Sequence, residues 1–142
     1  MCSTLYLVHN IFSFVNDFSR KIWVYFLKHK SEAFEKFQEW KTLLEYQTGK
    51  KIKCLRIDNE LEFCSNEFSN YCKQISTKRH RTCRDTSQQN GITKRINRTI
   101  LEKVRCMLNE SGLDKKLWAE AVAIAHYSIN RSPSSFIQFL TP

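Results

Sequence analysis

The stretch IFSFVNDFSRKIWVYFL, residues 11–27, holds two runs of β-branched and aromatic residues separated by a mostly polar break. The runs cover residues 11–16 and 22–27, and the break between them contains Asp17, Ser19 and Arg20. Short β-prone runs joined by a polar turn predict an antiparallel hairpin. The rest of the chain must then supply the layers that cover this hairpin.

Helical and extended patterns alternate after the hairpin. Ser31 is predicted to cap a helix that ends at Gly49, because Phe34, Phe37 and Trp40 recur at helical spacing between them. A strand over 52–57, a helix over 67–74, a strand over 77–82 and helices over 92–108 and 114–130 follow. The last helix is apolar nearly all round, so we expect it to be buried on two sides. The order predicts one α/β domain.

Composition excludes several classes of protein. The chain has 142 residues, of which 42% are hydrophobic, with three Gly and two Pro, so disordered and collagen-like chains are excluded. No apolar run approaches the ~20 residues of a membrane span, so no membrane partner is predicted. Six widely spaced cysteines indicate free thiols rather than disulfides or a zinc site. We expect an intracellular protein, nuclear or cytoplasmic.

Positive charge is concentrated in one part of the chain. Residues 73–105 carry ten Lys and Arg against Asp85 and Glu102, which is +8 of a net charge of +9. In the helix predicted over 92–108, Lys94, Arg98 and Arg105 fall within about 40° of arc, opposite an apolar face. Such a helix binds polyanions, nucleic acid above all, or is a solvated surface.

Four segments of the chain resemble one family in sequence, order and spacing. They are FVNDFSR (14–20), LRIDN (55–59), SQQNG (87–91) and RINRTILE (95–102), and LWAEA (117–121) and INRSPS (129–134) extend the match. Together they resemble the integrase core of copia-type long-terminal-repeat retrotransposon Pol polyproteins. The resemblance implies an RNase H-like mixed sheet flanked by helices over 11–142, with an atypical segment at 1–10.

The same resemblance implies polynucleotidyl transfer on DNA with two Mg²⁺ or Mn²⁺ ions held by two Asp and one Glu. The family's second Asp matches Asp58, whereas its Glu falls on Lys94, and residues 1–16 contain no acidic residue. Asp17 belongs to the hairpin turn and is not expected to replace the first Asp. We therefore expect the first strand to be missing, Asp58 to be the single residual metal ligand, and the metals not to be bound productively.

The binding surface is expected to remain when the chemistry is lost. The residues predicted to bind DNA, independently of its sequence, are Asn90, Lys94, Arg95, Arg98 and Arg105. By resemblance, a homodimer is also expected. Two alternatives stay open, namely a non-catalytic scaffold for protein partners and an unexpressed transposon remnant. Thr4 to Val8 could fill the place of the missing strand.

Overall fold

The structure is a computed structural model that describes residues 2–8, 10–57, 65–81 and 91–142. Its strands are β1 (Cys2–Val8), β2 (Ile11–Asn16), β3 (Ile22–Phe26), β4 (Cys54–Ile57) and β5 (Lys78–Arg81). Its α-helices are α1 (Ala33–Thr48), α2 (Asn66–Gln74), α3 (Gly91–Ser111) and α4 (Trp118–Ile129). In this described part, no helix is both long and apolar enough to cross a membrane.

The five strands form one mixed sheet in the order β3-β2-β1-β4-β5. β1 pairs antiparallel with β2 and parallel with β4, so that Leu5 lies between Phe14 and Ile57. The expectation of a missing first strand is therefore wrong, because residues 2–8 of the segment called atypical form the central strand. Their backbone groups satisfy the hydrogen bonds that a gap would leave unpaired.

Both faces of the sheet are covered by helices. On one face α1 and α2 pack against Phe12, Phe14 and Leu55, and the Trp40 ring stacks on Phe14 with centroids 4.0 Å apart. On the other face α3 and α4 cover Val15 and neighbouring strand residues. Successive side chains of a strand point to opposite faces, so β2 contributes to both apolar layers.

The start of α1 differs from the prediction, whereas its end agrees with it. A 3-10 turn over Lys30–Glu32 precedes it, and Glu32 occupies the capping position without a side-chain hydrogen bond, so Ser31 is not the cap. Gly49 ends the helix with φ +64, a conformation that glycine adopts at little cost. Ser65 caps α2 by accepting a hydrogen bond from the amide of Phe68.

The Glu45 carboxylate connects α1 to the segment that enters β4. It accepts hydrogen bonds from Lys41 Nζ at 2.7 Å and from the Ile52 amide at 3.0 Å. Partial burial on its own would raise the pKa of Glu45, but these donors together hold it below its ordinary value. The ionised carboxylate is therefore part of the folded structure.

α4 packs on the sheet along one side only, which corrects the expectation of two buried sides. Ala121, Val122 and Ala125 are buried, whereas Ile124 and Tyr127 are each 58% exposed. At its end, Asn130 accepts a hydrogen bond from the Ile22 amide at 2.9 Å and donates one to the Ile22 carbonyl at 2.7 Å. One side chain thus fixes α4 to the first residue of β3.

Candidate nucleic-acid interface

α3 has an apolar face in the core and a basic face toward solvent. Ile100 and Val104 are buried against the sheet and α4. Four cations on the outer face are exposed, namely Lys94, Arg95, Arg98 and Arg105. The two-faced helix predicted from the sequence is present and is longer than predicted, because it runs over Gly91–Ser111.

Two of these arginines are held by hydrogen bonds within the helix. Arg98 Nε donates to Glu102 Oε1 at 2.8 Å, and the Arg98 and Glu102 side chains are 81% and 56% exposed. Arg95 Nε donates to the Gly91 carbonyl at 3.1 Å, across the first turn. An exposed ion pair one helical turn apart is weak, so a phosphate can replace Glu102 as the partner of Arg98.

A polar contact that the sequence did not indicate connects α3 to the hairpin. Ser13 Oγ donates to Asn97 Oδ1 at 3.3 Å between the buried β2 strand and the helix. Thr93, also on the inner face of the helix, is buried. These groups set the rotation of α3 about its axis, and hence the direction in which the cations point. A polar residue inside an apolar stripe is the signal that could have indicated this contact.

Asp58 and Asn90 lie outside the described residues, and their predicted roles stay predictions. The structure does describe Ile57, which precedes Asp58 and pairs with Leu5 of β1. One of the two strands beside the carboxyl end of β4 is therefore β1, which contains no acidic residue, and the other is β5, where Ile57 pairs with Arg81. Lys94 lies in the first turn of α3 with its side chain exposed.

Asp17 is the carboxylate nearest in sequence to β1, and the structure places it away from the carboxyl end of β4. The preceding residue, Asn16, pairs with Ser3, near the amino end of β1. Ile57 pairs with Leu5, so Asp17 is offset from the end of β4 by at least two residues, roughly 7 Å along the strand. Its carboxylate instead contacts Arg56 Nη1 at 3.2 Å.

The part of the chain that the structure describes contains no cluster of donors suited to a pair of divalent metal ions. Two such ions need several carboxylate oxygens around them. Within the described ranges, no three His, Cys, Asp or Glu side chains form a group that could hold a metal ion. The resemblance sets Lys94 at the position of the family's Glu, and an exposed cation beside a metal site would repel a metal ion.

The cysteines that the structure describes are consistent with the expectation of free thiols. Cys72 and Cys106 form no disulfide within the described part of the chain. Burial raises the pKa of Cys72, which lies in the core between α2 and the sheet. A buried, protonated thiol is a weak nucleophile, so Cys72 acts as a core residue.

A cavity of about 450 Å³ lies beside α3, on the flank that faces α4 and the β2–β3 turn. Arg95 reaches this cavity as well as the basic face. Two cations that the sequence analysis did not single out, Arg20 and Lys103, also line it. Arg20 is 75 positions from Arg95 in the chain, so no sequence pattern joins them.

Comparisons with known proteins give relatives in plant transposons, whereas no family model matches the chain. The chain is 48% identical over 130 residues to the "Retrovirus-related Pol polyprotein from transposon TNT 1-94" of Nicotiana tabacum, covering 92% of this chain and 10% of that protein. It is 33% identical over 129 residues to the corresponding polyprotein from transposon RE1 of Arabidopsis thaliana, covering 91% and 9%. The chain thus spans about a tenth of the length of these relatives.

Similar solved structures are retroviral integrases. The HTLV-2 integrase catalytic core domain in complex with magnesium aligns with a TM-score of 0.66 and 21% identity, over 92% of this chain and 86% of that one. The catalytic core domain of BIV integrase aligns with a TM-score of 0.68 and 16% identity, over 99% of this chain and 90% of that one. A chain of a simian T-cell lymphotropic virus intasome aligns with a TM-score of 0.71 and 16% identity, over 91% of this chain and 48% of that one.

These findings confirm the resemblance drawn from the four motifs and the predicted fold class. The order β3-β2-β1-β4-β5, with helices on both faces, is the arrangement that the alignments cover. The chain is therefore a relative of copia-type transposon Pol polyproteins that has the RNase H-like fold of retroviral integrase catalytic cores.

Proposed function

We propose that this chain is a retrotransposon-derived integrase core that binds duplex DNA through α3, independently of sequence, and does not catalyse strand transfer. The observation that carries the proposal is the helix itself. Its cations are exposed on one face, while β1 contains no acidic residue and the resemblance puts Lys94 of α3 at the position of the family's Glu. Binding requires only a formed helix, whereas transfer requires the full metal site.

The physics of binding follows from the spacing of the cations. Lys94, Arg98 and Arg105 extend over roughly 16 Å of helix axis. Duplex DNA carries one negative charge per ~1.7 Å of its axis, so several phosphates lie within reach of this row. Contacts to phosphates release counterions and carry no information about base sequence. We therefore expect affinity that falls steeply with salt and depends little on sequence.

The loss of chemistry rests on the metal ligands. The related HTLV-2 core was solved with magnesium, and the integrase reaction needs two such ions. In this chain, Asp58 is the one family ligand retained, and the lysine at position 94 opposes a second cation. One carboxylate cannot hold two metal ions in fixed positions, so neither end processing nor strand joining is expected.

The exposed apolar side chains of α4 favour a second role in assembly. Ile124 and Tyr127 are largely exposed on the side of the helix that faces away from the sheet. The HTLV-2 core was solved in dimeric and trimeric forms, and a homodimer or a protein-interaction scaffold would cover this surface. The two buried clusters support a chain that folds as a domain, whereas the alternative of an unexpressed transposon remnant stays open. An intracellular location, nuclear or cytoplasmic, is part of the proposal.

Fluorescence anisotropy with two labelled duplexes of unrelated sequence tests the binding proposal. The wild-type chain should bind both with similar affinity at ~50 mM salt, where phosphate contacts are strong. Replacing Arg98 and Arg105 by Ala removes two contacts of about 1 kcal/mol each, so affinity should fall about thirtyfold. The slope of log K against log salt should become shallower by about 1.8.

The matched control replaces Lys50 and Lys53, two exposed cations between α1 and β4, with Ala. It has the same net charge as the Arg98 and Arg105 variant but leaves α3 intact. If the two variants lose the same amount of affinity for duplex DNA, the affinity depends on the overall charge of the chain and not on the position of the cations on α3. Absence of wild-type binding at ~50 mM salt would reject the proposal outright.

A further inference from the structure

We propose that the cavity beside α3 holds a sugar–phosphate segment of the bound DNA strand. The inference rests on the proposed function and extends it, because it assigns a second contact site on another flank of the same helix. The cavity has a volume of about 450 Å³ and is walled by α3, the β2–β3 turn and the segment after α4. Some of the side chains that line it are cationic and suit a phosphate, and others are apolar and suit the carbons of a sugar.

Cations from two elements line the cavity. Arg95 and Lys103 lie two turns apart on α3, roughly 12 Å along its axis, and Arg20 lies in the turn after β2. Among the described residues that line the cavity, which include Pro142, none has an acidic side chain. Positive side chains that surround one space with no acidic side chain among them create a field that attracts an anion.

The other walls suit a sugar better than a bare inorganic anion. Ile22, Ile96 and Ile129 form an apolar surface, and the hydroxyl residues Thr99 and Ser134 lie at the cavity as well. Phosphate oxygens accept hydrogen bonds from Arg, Lys, Ser and Thr, and these contacts position a strand without reading its bases. The carbons of deoxyribose would cover the isoleucines.

Arg95 connects this cavity to the basic face already described. Its guanidinium lines the cavity, while its neighbours Lys94 and Arg98 belong to the exposed row. A strand that contacts Arg98 can therefore continue past Arg95 toward Lys103. This continuity favours DNA over an acidic peptide, which would have no reason to extend along the row.

A neutral substitution that fills the cavity tests the inference. Thr99 is exposed on α3, and its hydroxyl donates to the Arg95 carbonyl at 2.9 Å. Thr99→Trp places an indole in the cavity without changing the charge. The matched control is Thr42→Trp on α1, where the hydroxyl makes the same contact to the Gln38 carbonyl at 2.9 Å on the opposite layer.

We expect Thr99→Trp to weaken duplex binding at least fivefold and Thr42→Trp to leave it unchanged. A second variant, Lys103→Ala, should weaken binding about fivefold and make the salt slope shallower by about 0.9. Thermal melting checks that each variant folds. If Thr99→Trp does not fold, Lys103→Ala alone decides, because an exposed lysine at a helix surface tolerates truncation.

The outcomes separate this inference from the proposed function. If Arg98→Ala with Arg105→Ala weakens binding but Thr99→Trp and Lys103→Ala do not, the cavity is not a DNA site and α3 binding stands. If the wild-type chain does not bind duplex, both fall together. If a glutamate hexapeptide binds more tightly than duplex DNA and Thr99→Trp abolishes its binding, the cavity takes an acidic peptide and the assignment to DNA is wrong.

Discussion

Glu102→Gln should make the chain bind DNA more tightly. In the structure the Glu102 carboxylate accepts a hydrogen bond from Arg98 at 2.8 Å, and both side chains are largely exposed. A helical ion pair of this kind contributes about 0.5 kcal/mol at most. Phosphate must displace Glu102 from Arg98, so removing the carboxylate should raise affinity by up to about twofold, because ~0.5 kcal/mol corresponds to that factor.

The salt dependence gives a second, independent number. Arg98 becomes a full phosphate contact in the variant, so the slope of log K against log salt should steepen by up to about 0.9. The matched control is Glu110→Gln, which removes the same charge from an exposed position near the end of α3. It should raise affinity less than Glu102→Gln does.

Anisotropy titrations of the two variants and the wild type in a series of salt concentrations measure both quantities. The melting temperature of Glu102→Gln should be lower than that of the wild type by about 2 °C or less, because the exposed pair contributes little to the stability of the fold. An unchanged or lower affinity for Glu102→Gln would show that Arg98 does not meet the phosphates. The placement of DNA on α3 would then be wrong.

Three further changes test other parts of the structure. Asn130→Ala removes the two hydrogen bonds between the Asn130 side chain and Ile22, leaves the contact of His126 with the Ile22 carbonyl, and should destabilise the fold by about 2 kcal/mol in urea unfolding. Asn109→Ala, exposed on α3, should have little effect in the same measurement. Glu45→Gln should lower the melting temperature above pH ~5 but approach the wild type toward pH ~3, because the lowered pKa of Glu45 stabilises the fold only while it is ionised. Ile124→Glu should reduce self-association in sedimentation velocity, with Ala123→Glu on the same helix as the control, and equal effects would contradict an interface at Ile124.

The sequence predicted α3 well because one periodic pattern determines both of its faces. Apolar residues at helical spacing required a buried side, and the cations between them had to lie on the other side. The hairpin was equally predictable, since strand propensity and a polar turn agreed. These are local properties, and residues close in the chain decide them.

The sequence analysis expected the first strand to be missing and named Thr4 to Val8 only as residues that could fill its place, where β1 in fact lies. CSTLYLV is a good strand by propensity, but the expectation followed the absent aspartate of the family and not the backbone. A strand needs only residues that tolerate an extended conformation and partners on both sides. A central strand can therefore form from residues that carry no catalytic aspartate.

The burial of α4 and the cavity beside α3 depend on contacts between distant parts of the chain. The apolar residues of α4 lie nearly all round the helix, so its sequence alone does not show which of them other elements cover. Ile124 is one that stays exposed. The cavity joins Arg20, Lys103 and Ser134, which come from three separate segments. Only the packing of the segment after α4 against the β2–β3 turn brings them together.

The most direct test of the account is a strand-transfer reaction with a labelled donor-end duplex, in Mg²⁺ and in Mn²⁺, under conditions where binding of that duplex is measured in the same sample. The account predicts bound duplex but no nicked or joined product above the level given by Asp58→Ala. Joined product from the wild-type chain that disappears in Asp58→Ala would contradict it, because a lone family carboxylate would then be supporting the chemistry.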